Sequence, residues 1–543
     1  MTERKGFRII TNKTFLGLFL GIAGFCLPLV VHFEGLSLAG HVALGIFLLA
    51  ALLWVFEPIP IYATSLLVIL LQSFLLSSQG VLFGDSELPG EIPLQAEGNT
   101  WSVPVTALDG NRLYVKTGER TYQVVEVEVL GVGERAIVRA TELEPGAEIV
   151  SNARHKFIGY APVSFTNFIG TLANPIIILF LAGFMLAAGA VKHNLDKNLT
   201  GFLLKPFGSK PAFIVLGLMA ITAGISAFMS NTATTAMMMT VAMPIAMQVS
   251  KNDKLRIWLL LSIPVAANLG GLATPIGTPP NAIILAALSG QGINITFGKW
   301  MALMVPLVII LILFAWAVMS KFFPPSVKSF NLRMDSSFDR SPRALLLYSI
   351  FGLTLFLWIT EALHGIPNAI VAMLPIVGLT MSGVLATEDI RKLPWEVLWL
   401  VAGGIALGIS MDNTGLAAWV VGGLNWAVFP ELALILAFGL VAYLISIFLS
   451  NTVAATLVIP LAVSLAVSGG AGEGFSLVLS ALIIGAACSM SMVLPISTPP
   501  NAIAMSTGMV KTSDMARVGL VVGLIGLMVA LVFALTIWPI LVY

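Results

Sequence analysis

Charge is what this chain has least of: Asp, Glu, Lys and Arg together are 10% of its 543 residues, against 58% hydrophobic. A soluble domain carries about 25% charged residues, so a water-solvated globular protein is excluded and a polytopic membrane protein is expected. The formal net charge of +1 offers no positive excess to nucleic acid, and no nucleic-acid partner is expected. Cysteine is nearly missing too. Cys26 and Cys488 lie far apart in apolar runs, which excludes a disulfide framework and leaves them packing roles. His193 and His364 lie in or near loops without neighbours at metal-ligand spacing, and neither is assigned a role. No nucleophile–base pair or metal cluster falls in the apolar runs, so an intramembrane enzyme is not expected. A small-residue cleavage site is missing after the first apolar run, Phe15 to Val31, which follows four Lys/Arg between Met1 and Lys13. That run reads as an uncleaved first transmembrane helix.

Long apolar runs place spans at 15–32, 38–56, 61–83, 173–191, 256–290, 298–320, 344–362, 367–385, 395–412, 474–507 and 516–541. Each can cross a hydrocarbon core of about 30 Å. Two further apolar stretches, 211–249 and 431–468, carry Ser-Asn-Thr near their middles. As two full spans each, they would put the triplet outside the membrane. They read instead as re-entrant hairpins with the triplet at the tip, buried in protein. The expected fold is therefore an all-α polytopic membrane protein of about eleven transmembrane helices and two re-entrant hairpins.

The chain also repeats itself. Ser230-Asn231-Thr232 and Thr278-Pro279-Pro280-Asn281-Ala282-Ile283 recur, residue for residue, as Ser450-Asn451-Thr452 and Thr498-Pro499-Pro500-Asn501-Ala502-Ile503, each 220 positions after its twin. Trp54-Val55-Phe56-Glu57 similarly resembles Trp358-Ile359-Thr360-Glu361, but at an offset of 304. The difference is an insertion of about 84 residues in the first copy, the polar stretch from Phe83 to about Asn167. Arg112–Val115, Gln123–Val129 and Ala136–Ala140 read as strands there, with Asp109-Gly110 and Pro145-Gly146 as turns, so a small β domain is expected. The divisions are 1–83, an N-terminal membrane segment; 84–167, the β insert; 168–320, the rest of the first repeat; 321–343, a linker; and 344–543, the second repeat.

Basic residues then orient the copies. The loop before the first triplet carries Lys192, Lys197, Lys205 and Lys210, while its twin near 412–432 has no Lys or Arg. Lys251, Lys254 and Arg256 follow the first triplet, whereas Gly469–Gly474 has none. Equivalent loops on opposite sides make the repeat inverted. Lys321, Lys328, Arg333, Arg340 and Arg343, with Arg391, Lys392, Lys511 and Arg517, mark cytoplasmic loops. The expected location is the cell membrane, inner in a two-membrane cell. The N-terminus lies inside, and the C-terminus and β insert lie outside.

Thr-Pro-Pro-Asn inside an apolar run breaks a helix and opens another, because proline cannot continue a helix but suits its first turn. Thr278 and Thr498 are expected N-caps. The break frees backbone carbonyls, which with hydroxyls suit a hard cation, and exposes helix N-termini, which suit an anion. Matching breaks in two repeats are the mark of a secondary transporter's binding site. With Arg and Lys confined to loops, a buried anion needs co-bound cations, so ion coupling follows. Glu57 and Glu361, each near a span's end, read equally as functional acids or interfacial structure.

These triplets, the Gly-Thr-Pro-Pro-Asn and Ser-Thr-Pro-Pro-Asn breaks and the Trp-x-x-Glu segments together resemble the divalent anion/sodium symporter family, the INDY-like di- and tricarboxylate and sulfate carriers. The resemblance implies a homodimer whose transport domain works as an elevator. It places one sodium site at Ser226, Ser230, Asn231 and Gly277, and a second at Ser446, Leu449 (through its carbonyl), Asn451 and Ser497. Substrate would meet Asn231, Thr232, Asn451 and Thr452, with Thr278, Pro279, Thr498 and Pro499 lining the site. The implied activity is Na⁺-coupled symport of a divalent anion, foremost a C4-dicarboxylate. Sodium-independent exchange, sulfate symport and, from a different class, a membrane dicarboxylate receptor are the alternatives. Besides substrate, Na⁺ and membrane lipid, the β insert leaves room for an extracytoplasmic partner. Its 140–150 stretch faintly resembles β-barrel segments of periplasmic membrane-fusion proteins.

Overall fold

The computed structural model describes residues 12–82, 91–97, 100–108, 111–116, 122–133, 135–140, 143–144, 146–150, 162–327, 329, 338–422, 426–467 and 475–542. Outside these lie most of the basic N-terminus, the Asp109-Gly110 turn, Pro145, the Gly469–Gly474 loop, and Lys328 and Arg333 of the linker. The chain is mostly helical. Among the described residues, eight helices are long and apolar enough to cross a membrane, from Leu38–Phe56 to Thr512–Val542. Three expected spans are shorter helices: Thr14–Val30, Ile61–Leu75 and Asn368–Met381. The chain divides into two compact units, residues 1–171 with 406–425, and residues 172–405 with 426–543.

In the first unit, Asn12–Val30 packs along Leu38–Phe56, which packs in turn on Ile61–Leu75. The Trp54 indole N–H donates to Ile61 O at 3.2 Å and pins the turn between the last two helices. Glu57 ends the middle helix in the left-handed region, φ 47°, and is exposed. The insert is two four-stranded antiparallel sheets. One has the order β1 (Glu91–Pro93), β8 (Glu148–Val150), β4 (Arg112–Lys116), β5 (Tyr122–Glu126); the other β2 (Gln95–Glu97), β3 (Thr100–Pro104), β7 (Arg135–Arg139), β6 (Glu128–Val132). The expected Gln123–Val129 strand is two strands, because the chain changes sheet at Val127. Alternation puts Leu113, Val125, Val138 and Ile149 into a common core with Trp101, as period-two side chains require.

The second unit contains both Ser-Asn-Thr motifs. Each apolar stretch that carries one is a helix–break–helix. The first hairpin has arms Pro211–Ser226 and Asn231–Gln248; the second has arms Glu431–Phe448 and Asn451–Val467. Both Thr-Pro-Pro-Asn motifs interrupt a helix as expected. Leu255–Gly270 gives way through a 3-10 turn, Gly271–Ala273, to Pro279–Gly290; Leu477–Met490 gives way to Pro499–Ser506. The first of these is 89% buried within the protein, against 28% for Pro342–Ile359, so it is central and not lipid-facing. Both arms of each hairpin pack on their own broken helix, while each short half-helix packs on the trailing arm of the other hairpin. The two copies are interlocked.

Candidate anion and cation site

The two hairpin tips are built alike. In the first, Ser230 caps the trailing arm by accepting from Ala233 N at 3.2 Å, and Ser450 does the same for Val453 N at 3.3 Å. Five residues before each Asn stands a serine with a fully buried side chain. Ser226 Oγ lies 2.7 Å from Asn231 Oδ1 and 2.9 Å from Ala267 O; Ser446 Oγ lies 2.9 Å from Asn451 Oδ1 and 3.2 Å from Cys488 O. A hydroxyl has one proton, so each serine donates to one acceptor at a time and keeps its lone pairs for a further partner. Each asparagine, held by its oxygen, keeps its NH₂ donors available.

Glycine brings the first tip against the broken helix. A Cβ at Gly271 would lie 2.6 Å from Asn231 Oδ1, and one at Gly277 would lie 2.4 Å from Gly271 O. Ser230, Asn231, Ser450, Leu449, Asn451 and Pro279 are half-buried; Thr232 and Pro499 are exposed; Gly277, Thr278, Thr452, Ser497 and Thr498 are buried. Ser226 and Asn231 are thus brought together with the Gly271–Gly277 segment, and Ser446 with Asn451. Ser497 Oγ donates to Ile447 O at 2.7 Å, two residues before Leu449. Among the described residues, no basic side chain bonds to either tip.

Two expectations about the breaks need correction. Both threonines occupy N-cap positions, but only Thr498 caps with its side chain, accepting from Asn501 N at 3.3 Å; Thr278 makes no such bond. The freed carbonyls, moreover, are already engaged. Asn281 Nδ2 donates to Gly271 O and Thr274 O at 2.9 and 2.8 Å, and Asn501 Nδ2 to Met492 O and Leu494 O at 3.0 Å each. The motif's asparagine is therefore a staple across its own break, because buried carbonyls require partners. A carbonyl has two lone pairs, so stapling leaves one for a cation.

Sequence reading also passed over Asn268, Gly271 and Thr274. Thr274 Oγ1 donates to Ala227 O at the first tip, and Asn268 Nδ2 donates to Thr498 Oγ1 at 3.1 Å. Polar residues inside Ala267-Asn268-Leu269 and Ala273-Thr274-Pro275 were the available signal. Of the two acids, Glu57 ends a helix and Glu361 opens the short helix Glu361–His364, beside which the Trp358 indole donates to Asn368 O at 3.1 Å. Both belong to turn structure.

This sequence matches the model of a family described as citrate transporter over residues 157–485, and again over 356–543. It belongs to the citrate transporter family. An uncharacterised transporter of Haemophilus influenzae is 31% identical over 388 residues, 67% of this chain and 82% of that protein. A sodium-dependent high-affinity dicarboxylate transporter of Caenorhabditis elegans is 30% identical, covering 65% of this chain and 72% of that one. The Staphylococcus aureus sodium-dependent dicarboxylate transporter SdcS is 30% identical, covering 68% and 77%. Among solved structures, the Alcanivorax borkumensis YdaH transporter aligns with a TM-score of 0.46 at 14% identity, covering 69% of this chain and 88% of that one. Membership in this family bears out the resemblance read from the triplets and breaks. The protein is a multi-pass membrane transporter and not an enzyme.

Proposed function

We propose that this citrate transporter family member is a Na⁺-coupled symporter that carries a divalent carboxylate, foremost a C4-dicarboxylate such as succinate, malate or fumarate. The observation that carries the reading is the duplicated Ser–Asn pair, Ser226 with Asn231 and Ser446 with Asn451. A cation at each pair would be ligated by the serine hydroxyl and the asparagine oxygen, while the asparagine NH₂ and the N-terminal amides of each trailing arm face the anion. Ser230 and Gly277 complete the first cation site; the Leu449 carbonyl and Ser497 complete the second. Asn231, Thr232, Asn451 and Thr452 hold the two carboxylates, and Thr278, Pro279, Thr498 and Pro499 line the space. Two Na⁺ ions neutralise one dicarboxylate, which removes the prohibitive penalty of burying an unpaired anion. The relatives named for sodium-dependent dicarboxylate transport support cargo and ion alike.

The transport cycle we infer is an elevator within a homodimer, with the two copies inverted in the membrane. N-terminus in, C-terminus and β insert out, is the orientation proposed. Three segments with cytoplasmic signatures support it by meeting: Lys192 bonds Asp389 at 2.6 Å, and His193 bonds Asp339 at 3.2 Å. The family's description as citrate transporter favours a tricarboxylate as the second cargo. Labelled succinate uptake into proteoliposomes, with inward Na⁺ against a K⁺ control, tests the proposal. Na⁺-dependent uptake into empty vesicles supports symport. Uptake confined to preloaded vesicles and indifferent to Na⁺ replaces it with exchange, and sulfate or citrate uptake alone reassigns the cargo.

A further inference from the structure

The repeats differ at one buried contact that joins them. Asn268, in the first broken helix, is 1% exposed and donates through Nδ2 to Thr498 Oγ1 of the second at 3.1 Å. Thr498 Oγ1 also accepts from Asn501 N at 3.3 Å. A hydroxyl oxygen has two lone pairs and one proton, so both acceptor positions are filled. Its proton has no acceptor among the described residues. Thr498 is thereby fixed as a donor, aimed away from Asn268 and the half-helix amide. The Asn268 Oδ1 atom is itself without a partner. The twin arrangement lacks the device. The residue 220 positions after Asn268 is Cys488, fully buried and at best a weak donor, and Thr278 makes no side-chain cap bond.

We propose that Asn268 is a positioning residue, which orients the Thr498 hydroxyl from the opposite repeat so that it donates to one carboxylate oxygen of the transported anion. This rests on the transport reading above. The result is a site with one preorganised threonine, Thr498, and one that makes no cap bond, Thr278. An anion is then held unequally at its two ends although the sequence motifs are identical. Preorganisation matters because a donor already aimed at charge needs no reorganisation on binding, and a hydrogen bond to a charged group contributes more than a neutral one.

The test is a double-mutant cycle on the full-length protein in proteoliposomes, reading half-saturating concentration and maximal rate separately. Succinate, citrate and sulfate are tried on the wild type, and the cycle uses whichever is carried. Asn268→Cys copies the residue that the other repeat already packs, and should raise half-saturation about tenfold with the maximal rate within about twofold. Asn268→Ser keeps a donor and should recover most of that loss. In a Thr498→Val background the Asn268→Cys change should add nothing further, whereas with Thr278→Val the two effects should multiply. Half-saturation unchanged in Asn268→Cys, or effects that multiply with Thr498→Val, overturns the positioning role while leaving the transporter reading intact. So does a fall in melting temperature without a change in half-saturation. A wild type that carries none of the three anions overturns the transport reading and this one together.

Discussion

Gly271→Ala perturbs the proposed first cation site without replacing any proposed ligand. Its Cβ would lie 2.6 Å from Asn231 Oδ1 and 3.1 Å from Nδ2. Ordinary non-bonded contact begins near 3.4 Å, so the carboxamide must retreat by about 0.8 Å. The Ser226–Asn231 bond, now 2.7 Å, would then stretch to about 3.5 Å, beyond useful hydrogen-bonding range. The displaced atom ends a rotatable side chain, so the penalty falls on the site and not on the fold. Displacing one ligand's support typically costs 10–100-fold in metal affinity, or about 1.4–2.7 kcal/mol. Half-saturating Na⁺ in uptake assays should therefore rise about tenfold or more, and the Na⁺-induced rise in melting temperature should shrink. The control is Gly224→Ala in the same hairpin, where an added Cβ meets nothing within 4 Å. A folded Gly271→Ala protein with wild-type Na⁺ dependence would refute the placement of a cation at Asn231.

Other perturbations separate the parts. Ser446→Ala removes the hydroxyl beside Asn451 and should raise half-saturating Na⁺ several-fold, measured as Na⁺-dependent uptake; an unchanged curve removes the second site. Asn281→Ala and Asn501→Ala each strand two buried carbonyls. Each should destabilise by about 2–4 kcal/mol, from about 1–2 per orphaned group, and lower the melting temperature in detergent; stability equal to wild type rules out the staple. The Lys192 ammonium, followed by the Ala386 backbone N–H, holds the Asp389 carboxyl below its ordinary range. A depressed folded value means the stabilisation is complete above the unfolded value and is lost as pH falls through the lower folded one. Melting temperature should thus show no step from this pair between pH 6 and 8, and Asp389→Asn should cost less than about 1 kcal/mol because the pair is part-exposed. A clear pH-dependent step in that range, abolished in Asp389→Asn, refutes it.

The helix breaks and hairpin tips were legible because proline and serine act locally. Pro279 and Pro499 open helices, where proline costs least, and Ser230 and Ser450 sit where a cap is needed. The exact repeat of the motifs then pointed to a pair of proposed sites without any tertiary information. What was not legible depends on contacts distant in sequence. Asn281 reads as one more polar residue of a motif until its amide is seen bridging Gly271 O and Thr274 O. Nothing in the sequence says that Asn268 faces Thr498, 230 residues away. The Gln123–Val129 stretch has the right alternation for one strand, but alternation cannot tell that its two ends belong to different sheets. Trp54 and Trp358 each donate an indole N–H to a carbonyl just beyond their helix, and Glu57 and Glu361, read as lying near span ends, stand at helix termini.

Where the copies diverge, the structure shows what had to be kept. Residue 274 is threonine and 277 is glycine; their twins are Leu494 and Ser497. The hydroxyl has changed position, yet its target has not. Thr274 donates to Ala227 O, and Ser497 to Ile447 O, carbonyls that are themselves twins 220 residues apart. Each tip carbonyl near the end of a leading arm lacks a helical partner and is buried, so a donor from the broken helix is obligatory. Once Thr274 supplies it, position 277 can be glycine, and the chain there can approach Gly271 closely. Once Ser497 supplies it, position 494 is free to be apolar. The requirement belongs to the carbonyl and not to the donor's place in the sequence. Exchanging both positions in one copy, Thr274→Leu with Gly277→Ser, asks whether the close approach of residues 271 and 277 has since fixed the donor's place in the first copy. The Cβ added at 277 would meet Gly271 O at 2.4 Å, so the exchange should fail in the first copy although each residue is native in the second. A well-folded, fully active double variant would show that the tie to the tip carbonyl can be rebuilt at either place.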